Sequence, residues 1–324
     1  MSENKEIGGY FGLELDQKGE YYPDAIKLNS ARNCLKYIIK AQGISKIYMP
    51  NYMDKSLKEE SILNELKEMV FYNIDKNFEI EKPIELKEGE KIVYNNYFSL
   101  KYDYVSFLAK EYGKSLIIDN TQAFFSKPLE NIDTFYSLGS KYFGVPSGGY
   151  LFTRVRLNQR LEQDTSYKSM LHLIGRIDVS AEKFFAEFQK SKKRRNNRPI
   201  KLMSNITKAL LSSINYEKVK LIRERNFYYL HSRFKDLNEL KFDATKVEGP
   251  MVYPLLIRNA DLRQILINNK IYVPTYWKEI LDLEESSSWE KYLTKYLLPL
   301  PIDQRYDLND MKKIVETMNR ALRK

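Results

Sequence analysis

Apolar positions along this chain fall into two textures. The first is a set of short, nearly solid runs: "SKIYMP" (45–50), "KEMVFYNI" (67–74), "EKIVYNNYF" (90–98), "KSLIIDN" (114–120), "DTFYSL" (133–138) and "GGYLFTR" (148–154). Runs of this kind fit strands covered on both faces better than half-exposed ones. The second texture has helical spacing. "KLNSARNCLKYIIKAQG" (27–43) puts apolar residues at 31, 34, 35, 38 and 39, with Asn29 or Ser30 to cap its start and Gly43 to close it. "YDYVSFLAKEYG" (102–113) is a second such stretch ending in glycine. Strands alternating with helices predict an α/β sheet covered on both sides.

Residues 155 to 240 read as mostly helical, with "SAEKFFAEFQKSKKRR" (180–195) and "NYEKVKLIRERNFYYLHSRF" (215–234) as the long elements. The pattern then changes again. "GPMVYPLLIR" (249–258) reads as a strand, "DLRQILINNK" (261–270) as a helix and "IYVP" (271–274) as a strand. "DLNDMKKIVETMNRAL" (307–322) reads as a closing helix with an aspartate cap. The expected architecture is a large α/β domain over 1–204 and a smaller α+β domain over 205–324. No repeat or low-complexity linker separates them.

The chain has 324 residues, enough for a sizeable core. No apolar run reaches the length of a membrane span, and the polar opening "MSENKEIGGY" has no signal-peptide character. A cytoplasmic location is the expectation. One cysteine, Cys34, excludes an internal disulfide framework, and with only His172 and His231 there is no metal-ligand spacing. Net charge is +10, part of it in "KSKKRRNNR" (190–198). Such a run suits an anionic partner, or is simply a solvated helix end.

Three short stretches could carry chemistry. Asp119 ends an apolar strand, where α/β proteins place ligand contacts, although a turn or cap aspartate is the commoner fate. The helix start at Ser30–Arg32 is a natural anion site through its free N–H groups and dipole, or plain capping. In "FYSLGSKYFGVPSGGY" (135–150), Lys141 lies between Ser137 and the pair Gly148–Gly149. A surface lysine is the commoner case; a buried one can be a nucleophile. Taken in order, a phosphate cup, a strand-end carboxylate and a lysine on a later connection are what a pyridoxal phosphate site requires.

At these stretches the chain resembles the DegT/StrS family of sugar aminotransferases, over nearly its whole length. "LIIDNTQAFFS" is similar to the family segment in which glutamine or histidine follows an aspartate by three. "FYSLGSKYFGVPSGGYL" is similar to the serine, lysine and glycine-pair segment. "LNSARNCL" lies where the family carries its phosphate-binding Ser-Gly-Thr, and "YLLPLPIDQRYDLNDM" resembles the family's C-terminal ending. The N-terminal "IGGYFGLEL" resembles a glycine-containing segment near the substrate; a loop leading into a strand reads equally well.

The resemblance implies the aspartate-aminotransferase type of fold and pyridoxal 5'-phosphate as cofactor. It implies Lys141 as the Schiff-base lysine and proton shuttle, Asp119 on the pyridine nitrogen and Gln122 near the phenolic oxygen. Ser137 and Ser30, with the backbone of Ala31 and Arg32, would hold the phosphate. Tyr52 would stack on the ring, and Asn205 would reach the cofactor of a partner subunit in a homodimer with shared sites. The implied reaction moves an amino group, from glutamate, to a nucleotide-linked keto sugar, for surface polysaccharide or glycan biosynthesis. There are departures: Ala31-Arg32 replaces Gly-Thr, the serine-to-lysine spacing is four instead of five, and Ser147 stands where an acidic residue is common. Two alternatives are a pyridoxal-phosphate sugar dehydratase, whose relatives replace the lysine retained here, and a non-enzymatic nucleic-acid-binding regulator. No reading motif supports the latter.

Overall fold

A computed structural model describes residues 7–58 and 60–323. Seven strands form the main sheet: β1 (Ile26–Leu28), β2 (Lys46–Pro50), β3 (Glu68–Tyr72), β4 (Lys91–Asn95), β5 (Leu116–Asp119), β6 (Asp133–Ser137) and β7 (Gly149–Phe152). Their order is β1-β7-β6-β5-β4-β2-β3. The five from β6 to β3 run parallel, and β7 is antiparallel to both its neighbours.

The solid apolar runs have the expected cause. Leu116 and Ile118 of β5 face one core cluster with Ile92, Tyr94 and Tyr136, while Ile117 faces another with Val93 and Phe135. Strands buried on both faces need no polar alternation. The second cluster receives Cys34, Leu35 and Ile38 from helix α1 (Ala31–Gln42), the apolar stripe expected from its spacing. Ser30 caps α1, accepting from Asn33 N–H at 3.2 Å, and Gly43 closes it with φ 61°. Gly43 suits that left-handed position because it carries no Cβ.

The remaining helices are α2 (Glu60–Leu63), α3 (Tyr102–Tyr112), α4 (Leu171–Asp178), α5 (Phe185–Lys193), α6 (Asn205–Ser212), α7 (Tyr216–Phe234), α8 (Leu262–Asn268), α9 (Ser288–Tyr296) and α10 (Leu308–Leu322). Among the described residues no helix is long and apolar enough to cross a membrane. Helix α5 starts only at Phe185, and residues 155–166 contain no helix. A separate core cluster joins Phe227 and Leu230 of α7 to Leu262, Leu266, Ile314 and Met318, over the antiparallel pair β8 (Tyr253–Leu256) and β9 (Leu297–Leu300).

The strand expected at 271–274 does not form. β9, from "LLPL", takes the place beside β8, and the carbonyls of Val273 and Pro274 instead accept from the Arg263 guanidinium. Local β-propensity lost to a partner strand that arrives from 23 residues further along the chain.

The fully buried Arg223 of α7 ties the two regions together. It donates through Nη1 to the carbonyls of Pro250 (3.0 Å) and Met251 (3.1 Å), through Nη2 to the carbonyl of Tyr142 (3.2 Å) and through Nε to Gln304 (3.0 Å). Gln304 donates to the same Tyr142 carbonyl at 2.7 Å, and the guanidinium lies 4.4 Å from the Tyr142 ring. Removing this buried charge strands the carbonyls of Pro250 and Met251. Arg223→Ala is expected to lower unfolding free energy by about 3 kcal/mol, read from the urea midpoint at unchanged slope. A loss within experimental scatter would contradict the clamp.

Candidate active site

All the parallel strands, and β1, end at one edge of the sheet, where α/β folds place ligands. Register fixes what meets there. Asn95, Asp119 and Phe135 are partners across β4, β5 and β6, and Ser137 faces Gly149 at the start of β7. Ser30, just past β1, bridges to Gly148. A Cβ on Gly149 would lie 2.7 Å from the carbonyl carbon of Ser30 and 2.8 Å from the nitrogen of Ala31. Glycine is therefore what lets the N-terminus of α1 press onto the sheet beside Ser137. The glycine pair of the sequence has this steric cause.

Ser30 uses its Oγ lone pair on Asn33, which leaves its hydroxyl hydrogen for another acceptor. The first-turn N–H groups of Ala31 and Arg32 have no acceptor within the helix. The structure thus brings Ser30, Ala31, Arg32 and Ser137 to one corner of the sheet edge.

Lys141 follows in the β6–β7 connection, after Ser140, whose φ of 69° is left-handed. Its Nζ lies 5.4 Å from the centre of the Tyr276 ring. Burial holds this amine below the usual lysine range; Lys192 and Arg195 add to the lowering, while the carboxylates of Asp54 and Asp119 oppose it. Asp119 is buried, its Oδ1 accepting from Thr121 N–H at 2.7 Å. Burial pushes its carboxyl up to about 6, against the hydrogen bonds of Thr121 and the charge of Lys141. Asp54, in contrast, is held below the usual carboxylate range: burial works to raise it, but Lys141, the bonds from Ser56 and the charge of Lys192 together outweigh that. Asp119, buried and kept high, is a carboxylate suited to a protonated ring nitrogen as its partner.

Gln122 is buried, and its side-chain oxygen accepts from Phe98 N–H at 3.1 Å. Its backbone oxygen accepts from the hydroxyls of Ser99 (3.0 Å) and Tyr142 (2.9 Å). The residue is thus pinned between the loops after β4 and β6.

One expected residue stands elsewhere. Tyr52 is 0% exposed; its hydroxyl donates to the Tyr276 carbonyl at 3.0 Å and its ring packs 4.9 Å from Trp277. A ring with no accessible face is a core residue, and the aromatic beside Lys141 is Tyr276, carried by the segment before β9. Asn205 is exposed in the first turn of α6.

Three further groups belong to the site. Asp54 faces Lys141 from the loop after β2. Tyr276 gave no signal in the sequence. Arg195, within the basic run, has a buried Nε without a hydrogen-bond partner. A Cβ on Gly139 would lie 3.5 Å from its Nη1. The run itself is largely engaged on its own chain: Asn196 accepts from Arg32 at 3.0 Å, Arg194 donates to the Lys168 carbonyl at 2.6 Å and Arg198 pairs with Asp164 at 2.7 Å.

Asp119 sets a stability cost with a definite sign. The unfolded chain releases this proton near 3.8 and the folded chain near about 6, so folded stability falls as pH rises between those values. In ligand-free protein, Asp119→Asn is expected to be more stable than wild type at pH 8 by roughly 2–3 kcal/mol beyond any difference at pH 4. Equal offsets at the two pH values would contradict the buried charge.

No family model matches the sequence, and no curated protein matches it. Solved structures match in fold. A DegT DnrJ EryC1 StrS aminotransferase from Brucella abortus superposes with a TM-score of 0.60 at 16% identity, over 91% of this chain and 85% of that one. NtdA from Bacillus subtilis, solved with bound cofactor PMP, gives 0.64 at 13% identity, over 93% and 73%. DesI, solved in the presence of its TDP-sugar product, gives 0.62 at 14% identity, over 91% and 79%. The large sheet with its covering helices and the small C-terminal antiparallel pair form the same architecture as in these enzymes.

Proposed function

We propose that this chain is a pyridoxal-phosphate-dependent aminotransferase that moves an amino group from glutamate to a nucleotide-linked keto sugar. One observation carries the reading. A depressed lysine amine and a buried, elevated carboxylate meet at the edge of the sheet beside a helix N-terminus. The fold shared with solved structures, among them a sugar aminotransferase, NtdA with bound PMP and DesI with its TDP-sugar product, supports the substrate class.

The cofactor, when bound, supplies an electron sink that stabilises negative charge at the donor's Cα. The chain's residues do the rest. Ser30, Ser137 and the N–H groups of Ala31 and Arg32 bind the phosphate. Asp119 would hold the proton on the pyridine nitrogen, and Gln122 would orient the ring. Lys141 Nζ is the covalent anchor. As a free amine it would be the base that takes the proton from the donor's Cα and the acid that returns it. Its lowered pKa keeps a larger share of the amine unprotonated for this step. Tyr276 covers Lys141 and limits water. Net positive charge favours approach of the sugar's diphosphate.

We place the reaction in a homodimer. Exposed apolar residues gather in two places: Ile7, Tyr10 and Phe11 near the N-terminus, and Leu171, Ile174, Ile177 and Phe185 on α4 and α5. Apolar exposure of this extent suits an interface, and Asn205 together with the segment from Lys190 is the part proposed to reach the partner's cofactor. Light scattering is expected to give twice the 38.4 kDa protomer mass; a fully active monomer at micromolar concentration would end the shared-site idea.

Mixing the purified protein with pyridoxal phosphate is expected to produce the near-visible absorbance of cofactor joined to a lysine. Lys141→Ala should lose that band and at least about a thousandfold in turnover while keeping its far-UV spectrum. Asp119→Asn should keep the band and lose about a hundredfold or more in turnover. Near-wild-type turnover in either variant would reject the corresponding role.

A further inference from the structure

We propose that Arg195 is a second cationic ligand, supplied by the same chain, for a phosphate monoester held at the N-terminus of α1. The proposal rests on the cofactor reading above and adds to it a residue that neither the sequence motifs nor the helix start points to.

Arg195 is an arginine held in place with nothing to bind. Its Nε is buried and without a hydrogen-bond partner, and no ion pair of its guanidinium forms among the described residues. Its neighbours differ. Arg194 donates to the Lys168 carbonyl, Arg198 pairs with Asp164, and Lys190 pairs with Glu187 at 2.6 Å. A mobile, solvated run would leave all its charges in water. Here the run is fastened on both sides of Arg195, and Arg195 keeps a buried Nε without a partner.

It is turned toward the anion corner. Its Nη1 lies 3.5 Å from where a Cβ on Gly139 would be, two residues beyond Ser137. The next residue, Asn196, accepts from Arg32 in the first turn of α1 at 3.0 Å. Asn29, just before the cap, donates to the Pro199 carbonyl at 3.1 Å. These bonds tie the segment carrying Arg195 to the helix start itself.

The electrostatics agree. Burial, then the charge of Arg32, pull Arg195 down to about 10, with Asp54 as the opposing carboxylate. A buried guanidinium donor left without a partner favours an anion beside it. A phosphate monoester offers several acceptor oxygens and about two negative charges, and a guanidinium fork matches them. The chemistry also accounts for Ala31-Arg32 standing where a hydroxyl donor was expected: a guanidinium pair takes over the work of that hydroxyl.

The experiment compares two aldehydes that differ only in the phosphate. Wild type, Arg195→Gln and Arg195→Lys are titrated with pyridoxal phosphate and with pyridoxal, following the near-visible band, and thermal unfolding is measured with inorganic phosphate. Arg195→Gln is expected to weaken pyridoxal phosphate by about 10–100-fold, the value of a charge-assisted bond, with pyridoxal unchanged. Arg195→Lys should recover part of the loss. Unchanged affinity for pyridoxal phosphate, or an equal loss for both aldehydes, would overturn the proposal. The cofactor reading fails separately, if wild type forms no band with either aldehyde. In that event phosphate protection against unfolding, present in wild type and lost in Arg195→Gln, still supports the anion site, and no protection in wild type overturns it.

Discussion

An amine and a carboxylate held in one pocket without touching are the constraint on which this structure turns. No contact within 4.0 Å joins Lys141 to Asp119. Each feels the other, yet burial dominates both, lowering the amine and raising the acid. Had they collapsed into an ion pair, the lysine would be fixed as ammonium and useless as a nucleophile. Separation has to be enforced, and the fold does so with rigid pieces. Asp119 is the last residue of a strand paired on both sides. Lys141 hangs from a connection clamped through Tyr142 by Arg223 and Gln304. The small C-terminal region thus helps aim the lysine without contributing to the sheet that carries it.

What the sequence makes legible follows from how local each signal is. Interior strands announce themselves because burial on two faces forces continuous apolar runs. The Ser30 cap and the α1 stripe are encoded within a dozen residues, and so are the Ser137–Lys141–Gly149 spacing and the strand-end Asp119. Arg195, Tyr276 and Arg223 are different. Each acts on the Lys141 connection or its surroundings from more than 50 residues away, and nothing nearby in the chain distinguishes them from ordinary surface or core residues. Tyr52 illustrates the converse. It follows a strand at the right edge, but its side chain turns into the core beside Trp277, and side-chain direction after a strand is set by tertiary packing. The lost strand at 271–274 has the same origin, since β8 could pair with only one of two apolar segments on that side.

The basic run shows why composition alone reads ambiguously. Its charge suits nucleic acid, lipid or phosphate equally well. In the folded chain its cations take different roles. Arg194 and Arg198 fasten the segment, Arg195 faces inward, and Lys192 and Lys193 remain exposed. The exposed ones add long-range field, and the inward one adds a local requirement for an anion.

That requirement changes how the departures from the sugar aminotransferase pattern fit together. Replacing Gly-Thr by Ala31-Arg32 removes a hydroxyl donor from the helix start and adds a cation. Alone, such a change loosens a phosphate site, because a long side chain is harder to hold in place than a hydroxyl on the first turn. The Asn196 bond to Arg32 restrains that side chain, and the same segment brings Arg195 alongside. Lys192 and Arg195 add to the lowering of the Lys141 amine, and Arg32 to that of Arg195, against Asp54 and Asp119. Arg195 is the cation of this group with a buried donor left unpaired, an arrangement that costs stability until an acceptor reaches it. Under the proposed reading that acceptor is a phosphate oxygen, which a neutral ring of the same shape lacks.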